Sequence, residues 1–368
     1  MTSPNPTSRD ASRNLTFVVG TGRSGSTALS RILRLHPDVL SLNELFACVQ
    51  NAAMSEEALD GREFWALLTA PNHVFDTMIR SGAPLPEFLY NRHPEWRYSA
   101  EKDGIPAVSL MPLPHLSDAP DALLDSLEPE VRGWPTRPAP QQWEAFFEAL
   151  ARRCGGARAA VERSGYSLHH VPLLRRMFPR ARFVHLFRDG PDCALSMSRH
   201  PGYRMILLLR EIAERCGAGR SPGALAQLTP EQVAALPPDL AGLLGERFDR
   251  ALVMERPLAA ERFGALWSEL VAEGAGYLEE LPQEIRTTLS YEELLGDPRG
   301  ELSRLARFVG VEPLPGWLDA GERLLDSGRA GAALRLPAGE LEALRESCAP
   351  GMRVLRTGQP GAGAQASP

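Results

Sequence analysis

Residues 15–34 read LTFVVGTGRSGSTALSRILR, and the fold is decided by how this stretch is parsed. Leu15 to Val19 is a short β-branched and aromatic run, the pattern of a buried strand. Gly20 to Gly25 is a glycine-rich turn. Beyond it Ala28, Leu29, Ile32, Leu33 and His36 recur at helical spacing and stop before Pro37. A strand, a glycine loop and a helix in that order offer curled N–H groups and a helix N-terminus to an anion. The spacing is GxxxxG-x-[ST], but Ser26 stands where a nucleoside-triphosphate loop carries its lysine, and Arg23 supplies a cation earlier. The loop therefore suits a phosphate-like group, though not in the manner of an ATPase or kinase. Taken alone it also reads as an ordinary glycine-rich βα turn.

Outward from this unit, Asp38 to Leu42 reads as a second short strand. Arg158–Glu162, Arg182–Phe187 and Ile285–Ser290 read as later ones. Helices fall between them: one runs to Phe178, one starts near Pro191 at a first-turn position, and Arg299–Val309 is amphipathic. The alternation predicts an α/β fold, a P-loop-like parallel sheet flanked by helices. Residues 50–157 break the pattern and hold Trp65, Trp96, Trp134 and Trp143; they read as an insertion of helices and loops over the sheet. A second, mostly helical insertion spans about 203–283. The aromatics Phe46, Phe64, Trp65, Phe75, Phe88, Tyr90, Trp96 and Tyr98 either line a pocket or form the insertion's own core. One domain is expected over 15–357, between a disordered leader (1–14) and a Gly/Ala/Pro/Gln-rich tail (358–368).

A hydrophobic share of 43% in 368 residues supports a sizeable core. The net charge of −6 carries no nucleic-acid footprint, so an anionic ligand must be held by local charge and backbone dipoles. Cys48, Cys154, Cys193, Cys216 and Cys348 are scattered, without CxxC spacing. That argues against a disulfide framework or structural zinc and for a reducing, cytoplasmic setting. The first fourteen residues lack the apolar segment of a signal peptide, and Met205–Leu209 is too short to span a bilayer. A soluble protein without membrane or nucleic-acid partners is expected.

A second motif lies far from the first. Residues 183–189, FVHLFRD, form a strand ending in Arg188, and Ser196 follows eight residues later on the next helix. A guanidinium fork and a short hydroxyl donor together suit a phosphate. The plainer reading is a local Arg188–Asp189 ion pair with Ser196 as a solvated helix position.

Together the two motifs resemble those of sulfotransferases that use 3′-phosphoadenosine-5′-phosphosulfate (PAPS). The branch most similar holds the tyrosylprotein and carbohydrate enzymes and many bacterial homologues. The resemblance covers residues 15–46, 158–200 and 285–355. It implies that Arg23, Ser24, Gly25, Ser26 and Thr27 contact the 5′-phosphosulfate and that Arg188 and Ser196 grip the 3′-phosphate. PAPS would be donor and PAP product, with no metal, because a sulfuryl group carries less charge than a phosphoryl group. Residues 289–294 (LSYEEL), with Asp297 and Pro298, are similar to a late strand and turn whose family role is largely structural. Ser327–Gly331 lies where the family closes a loop over the nucleotide; Arg329 otherwise reads as a surface arginine.

The resemblance also implies a base. Glu44 lies twenty-one residues after Arg23, the spacing of the general base in the tyrosylprotein branch. A carboxylate in a pocket beside aromatics would have its pKa raised toward the working range. The alternative is a solvated strand-end glutamate. His36, His73, His93, His115, His169, His170, His185 and His200 are rival bases; His185 reads as core, while His73 and His115 lie in the insertion and could reach an acceptor. Arg163 occupies a place where the family often has a lysine steadying the transferring group, or else it forms a structural salt bridge with Glu162 or another acid. The expected activity is sulfuryl transfer to a hydroxyl of a small molecule (natural product, sugar or lipid-like), with the insertions capping the acceptor side. A non-catalytic PAP-binding protein, a P-loop kinase, and sulfation that activates a hydroxyl for elimination are the rival readings.

Overall fold

The structure, a computed structural model, describes residues 14–49, 56–219 and 225–357. The leader expected at 1–14 lies outside these but for Asn14, which opens the first strand, and the expected tail lies outside them entirely.

Among the described residues seven strands form: β1 (Asn14–Val19), β2 (Val39–Asn43), β3 (Ala58–Leu59), β4 (Arg137–Pro138), β5 (Ala159–Arg163), β6 (Arg182–Phe187) and β7 (Arg286–Ser290). Five of them make a sheet in the order β2-β5-β1-β6-β7, with every neighbouring pair parallel. The expected strands appear within one residue of their anticipated bounds. The short antiparallel β3–β4 pair inside the first insertion was not anticipated, because two-residue strands leave no periodicity to read.

Side-chain alternation splits the core. Phe17, Val19, Leu40, Leu42, Ala160 and Phe183 face one layer, with Phe46, Trp143 and Phe178 packed on them. Val18, Val39, Ala159, Val161, Val184 and Leu186 face the other, against Leu29, Ile32 and Leu33 of helix α1 (Ser26–Arg34) and Leu302, Leu305 and Val309 of the helix Pro298–Val309. Burying each of the valine, leucine, isoleucine and phenylalanine side chains among these contributes about 1.5–3 kcal/mol. Phe64, Phe88, Tyr90 and Trp143 are fully enclosed, so the insertion's aromatics are chiefly its own core.

Strand order also locates the site. The chain leaves β1 through α1 toward β2 on one side, and leaves β6 toward β7 on the other. The crevice beyond the carboxyl ends of β1 and β6 is thus the topological switch point, where open parallel sheets bind ligands.

Candidate functional site

The loop after β1 is shaped by its glycines and braced from beneath. Gly25 has φ 83° and caps α1 without any side-chain hydrogen bond, so the first N–H groups of α1 are not spent on a cap. A Cβ at Gly25 would lie 2.2 Å from the ring of Tyr291, and one at Gly22 (φ 74°) would lie 2.0 Å from the Tyr203 hydroxyl. That hydroxyl donates to the Thr21 carbonyl, while the Cys193 thiol donates to the Gly22 carbonyl at 3.3 Å. Ser24 is buried and donates to the Gly22 carbonyl; Ser26 is half-buried and Thr27 exposed.

Among the described residues, three non-glycine residues have positive φ: Arg23 (59°), Glu44 (55°) and Tyr166 (56°). Each costs about 1–3 kcal/mol, and such strain gathers at functional sites. All three lie just beyond the carboxyl ends of β1, β2 and β5.

At the switch point is a cleft of about 350 Å³. Arg23, Arg188, Ser196, Arg199, Arg329 and Arg335 are among its lining residues. The structure therefore brings together the two motifs of the sequence: Arg23 Nε donates to Ser196 Oγ at 3.2 Å. Arg188 lies over the Tyr291 ring at 5.2 Å and donates from Nη2 to Asp192 Oδ2 at 3.0 Å and to the Arg329 carbonyl. Its Nε is buried and has no hydrogen-bond partner among the described residues. The local pair of Arg188 is thus Asp192, not Asp189, which instead caps the helix Gly190–Ser198. Asp192 also accepts from the N–H groups of Gly331 (2.7 Å) and Ala333 (2.8 Å), fastening the 327–335 segment over the cleft. The Arg329 side chain is largely exposed and paired with Asp326.

Glu44 and Arg163 form a second, buried cluster. The Arg163 guanidinium donates to Glu44 Oε1, to Asn43 Oδ1 and, through Nε, to Ser30 Oγ at 2.8 Å. Glu44 Oε2 accepts from the Gly165 N–H at 2.8 Å, and the Glu44 N–H donates to the Arg163 carbonyl at 2.7 Å. Where the sequence suggested a carboxylate beside aromatics, the structure holds Glu44 in an ion pair, and the partner of Arg163 is Glu44 and not Glu162. Neither Glu44 nor Arg163 is among the residues lining the arginine cleft. Glu162 points to the other face of β5; burial first, then the charge of Glu44, pushes its carboxyl up to about 8.

The histidines divide clearly. His185 is core, pushed down to about 4 by burial, as its strand position suggested. His115 is also buried, with Nε2 3.2 Å from Ser41 Oγ; burial and then the charges of Arg34, Arg163 and Arg31 push it down to about 3. His73 is exposed. His200 caps the helix Pro201–Arg215: its Nδ1 accepts from the Gly202 N–H, and its Nε2 lies 2.9 Å from Glu87 Oε2.

Sequence reasoning missed Glu87, Asp192 and Tyr291 as parts of the site. Asp192 was within reach, since an aspartate four residues after Arg188 at a helix start is an i,i+4 partner. Glu87 and Tyr291 lie far from their partners along the chain and carry no such signal.

Among the described residues no helix is long and apolar enough to cross a membrane. No curated protein matches the chain. Solved structures resemble it only distantly. The sulfotransferase domain of the Synechococcus PCC 7002 olefin synthase is 17% identical, covering 93% of this chain and 96% of that one, with a TM-score of 0.44. The sulfotransferase domain from the curacin biosynthetic pathway is 16% identical over 92% and 98%, with a TM-score of 0.40. A sulfotransferase from Mycobacterium avium is 15% identical over 92% and 76%, with a TM-score of 0.41. The model of the sulfotransferase family matches residues 16–78 and 77–205, a span that runs from β1 through both arginine motifs to the helix after Ser196. The chain belongs to the sulfotransferase family.

Proposed function

We propose that this protein moves a sulfuryl group from PAPS to a hydroxyl of a small-molecule acceptor. The observation that carries the reading is Arg188 Nε, a buried donor without a partner among the described residues, on a side chain lining a cleft of arginines. Leaving such a donor unpaired costs about 1–3 kcal/mol or more, which an anionic ligand would recover. The residues fit a nucleotide with phosphate at both ends. Arg188 and Ser196 grip the 3′-phosphate. Arg23, Ser24, Gly25, Ser26 and Thr27, with the uncapped N-terminus of α1, hold the 5′-phosphosulfate.

When bound, PAPS supplies the activated sulfuryl group. Glu44 accepts the proton of the acceptor hydroxyl as its oxygen bonds to sulfur, and the phosphate leaves with the electrons of the S–O bond. Arg23 and the loop N–H groups stabilise the charge that develops on that phosphate. Arg163 acts through Glu44: three of its N–H groups are committed to Ser30, Glu44 and Asn43, so it positions the base. We read the chain as one catalytic domain over 15–357, acting in the cytoplasm, with the insertions at about 50–157 and 203–283 on the acceptor side.

Calorimetric titration with PAP, paired with mass spectrometry of products from PAPS and a hydroxyl library, tests this. One PAP per chain, binding weakened in Arg188→Lys, and a product gaining one sulfuryl group are expected. In Glu44→Gln, PAP should bind while turnover is lost. Absence of PAP binding would overturn the donor reading, and unchanged turnover in Glu44→Gln would overturn the base.

A further inference from the structure

The arginine cleft has one acidic neighbour contributed by the first insertion. Glu87 follows Pro86, which lines the cleft, and Leu85, which packs near Gly202 on the cluster of Met205 and Leu208. Its Oε1 accepts from Arg23 Nη1 at 2.7 Å, and its Oε2 lies 2.9 Å from His200 Nε2. Because His200 Nδ1 accepts from the Gly202 N–H, Nε2 carries the proton and donates to Glu87. A chain of contacts therefore runs from a helix N-terminus through His200 and Glu87 to Arg23, and from Arg23 Nε to Ser196. Arg23 needs such support. It stands at φ 59° on a glycine loop, and its side chain is about a quarter exposed. Among the described residues Ser196 fixes its Nε and Glu87 its Nη1, which leaves Nη2 to serve a ligand.

Glu87 is poorly suited to be a base. Burial would push its carboxyl up, but the hydrogen bond from His200 and the charge of Arg23 outweigh it and hold it below the ordinary carboxylate value. A carboxylate so weakly basic takes up little proton at neutral pH.

We propose that Glu87 is a positioning residue for Arg23: fixed by His200, its carboxylate aims the guanidinium into the cleft and ties the first insertion to the anion loop. The proposal rests on the reading of Arg23 as a ligand of the donor's phosphosulfate end. It makes a choice of sign. A carboxylate beside Arg23 also repels an anionic nucleotide, so its removal tightens binding if repulsion dominates and weakens it if orientation dominates. Orientation wins here because both carboxylate oxygens are already engaged, one by Arg23 and one by His200.

A double-mutant cycle decides it, with PAP binding read by calorimetry and folding checked by thermal melting. Glu87→Ala is expected to weaken PAP about tenfold in the wild-type background and to have no effect in the Arg23→Met background. Glu87→Gln, which keeps the shape, should fall between wild type and Glu87→Ala, and His200→Ala should follow Glu87→Ala. With PAPS, kcat should fall and the donor KM should rise, since Arg23 is asked to serve the transition state. Tighter or unchanged PAP binding in Glu87→Ala, or an equal loss in both backgrounds, would overturn the proposal while leaving the donor reading intact. Failure of the wild type to bind PAP would overturn both.

Discussion

Replacing Glu44 by alanine removes the carboxylate that pairs with a guanidinium only 3% exposed. The charge of Arg163 is then left beneath the sheet edge with Asn43 and Ser30 as neutral partners, and the Gly165 N–H loses its acceptor. Removing one partner of a buried pair costs about 3–5 kcal/mol, against a folding reserve of about 5–15 kcal/mol. Glu44→Ala should therefore fold but sit near the edge of stability, and Arg163→Met should lose a comparable amount. Glu44→Gln keeps an oxygen for Arg163 and turns an NH2 toward the Gly165 N–H, so a smaller loss of about 1.5–3 kcal/mol is expected. The double variant Glu44→Ala/Arg163→Met removes both charges together, and its loss should fall well short of the sum of the singles. Urea unfolding followed by tryptophan fluorescence, with unchanged m-values, reads all four. A loss below about 1 kcal/mol in Glu44→Ala, or additivity in the double variant, would refute the pairing. The same numbers guard the catalytic test: turnover of Glu44→Gln must be compared at a temperature where both proteins are fully folded.

Three further outcomes follow from the site. Gly25→Ala forces alanine to φ near 83°, costing about 1–2 kcal/mol, and drives its Cβ into Tyr291, the platform under Arg188; thermal melting and PAP calorimetry should both register a loss, and retention of both would contradict the packing. Arg188→Lys removes the unpartnered Nε and the planar fork, so PAP affinity should fall about 10–100-fold with little change in melting temperature, the equivalent of one charge-assisted hydrogen bond. Glu162, pushed up from 4.5 to about 8 chiefly by burial, holds a proton in the folded state that the unfolded chain releases above 4.5. Its contribution to stability is therefore full below pH 4.5, falls by up to about 1.4 kcal/mol per pH unit as pH rises toward 8, and is level beyond; Glu162→Gln should flatten that slope in urea titrations across pH 5–8, and an unaltered slope would count against it.

What residues 15–34 and 183–196 determined by themselves was local: a strand, a glycine turn whose curled backbone offers N–H groups, and a helix, then a strand-end arginine with a serine eight positions on. Periodicity and glycine chemistry act over a few residues, so these elements were legible, and the alternation of strands and helices gave the parallel sheet. Tertiary structure decided which charges meet. Arg163 closes on Glu44 across 119 positions, Asp192 holds the Gly331 N–H across 139, and Glu87 reaches Arg23 across 64. No local pattern encodes such pairs, because ion pairing depends on which strand ends become neighbours, and that follows from strand order. The same order, with β1 between β5 and β6, set the two arginine motifs side by side and placed Glu44 on the far side of β5. The sequence named most of the residues of this site, while packing of the parallel sheet determined which of them share a cleft and which are bound in a buried pair.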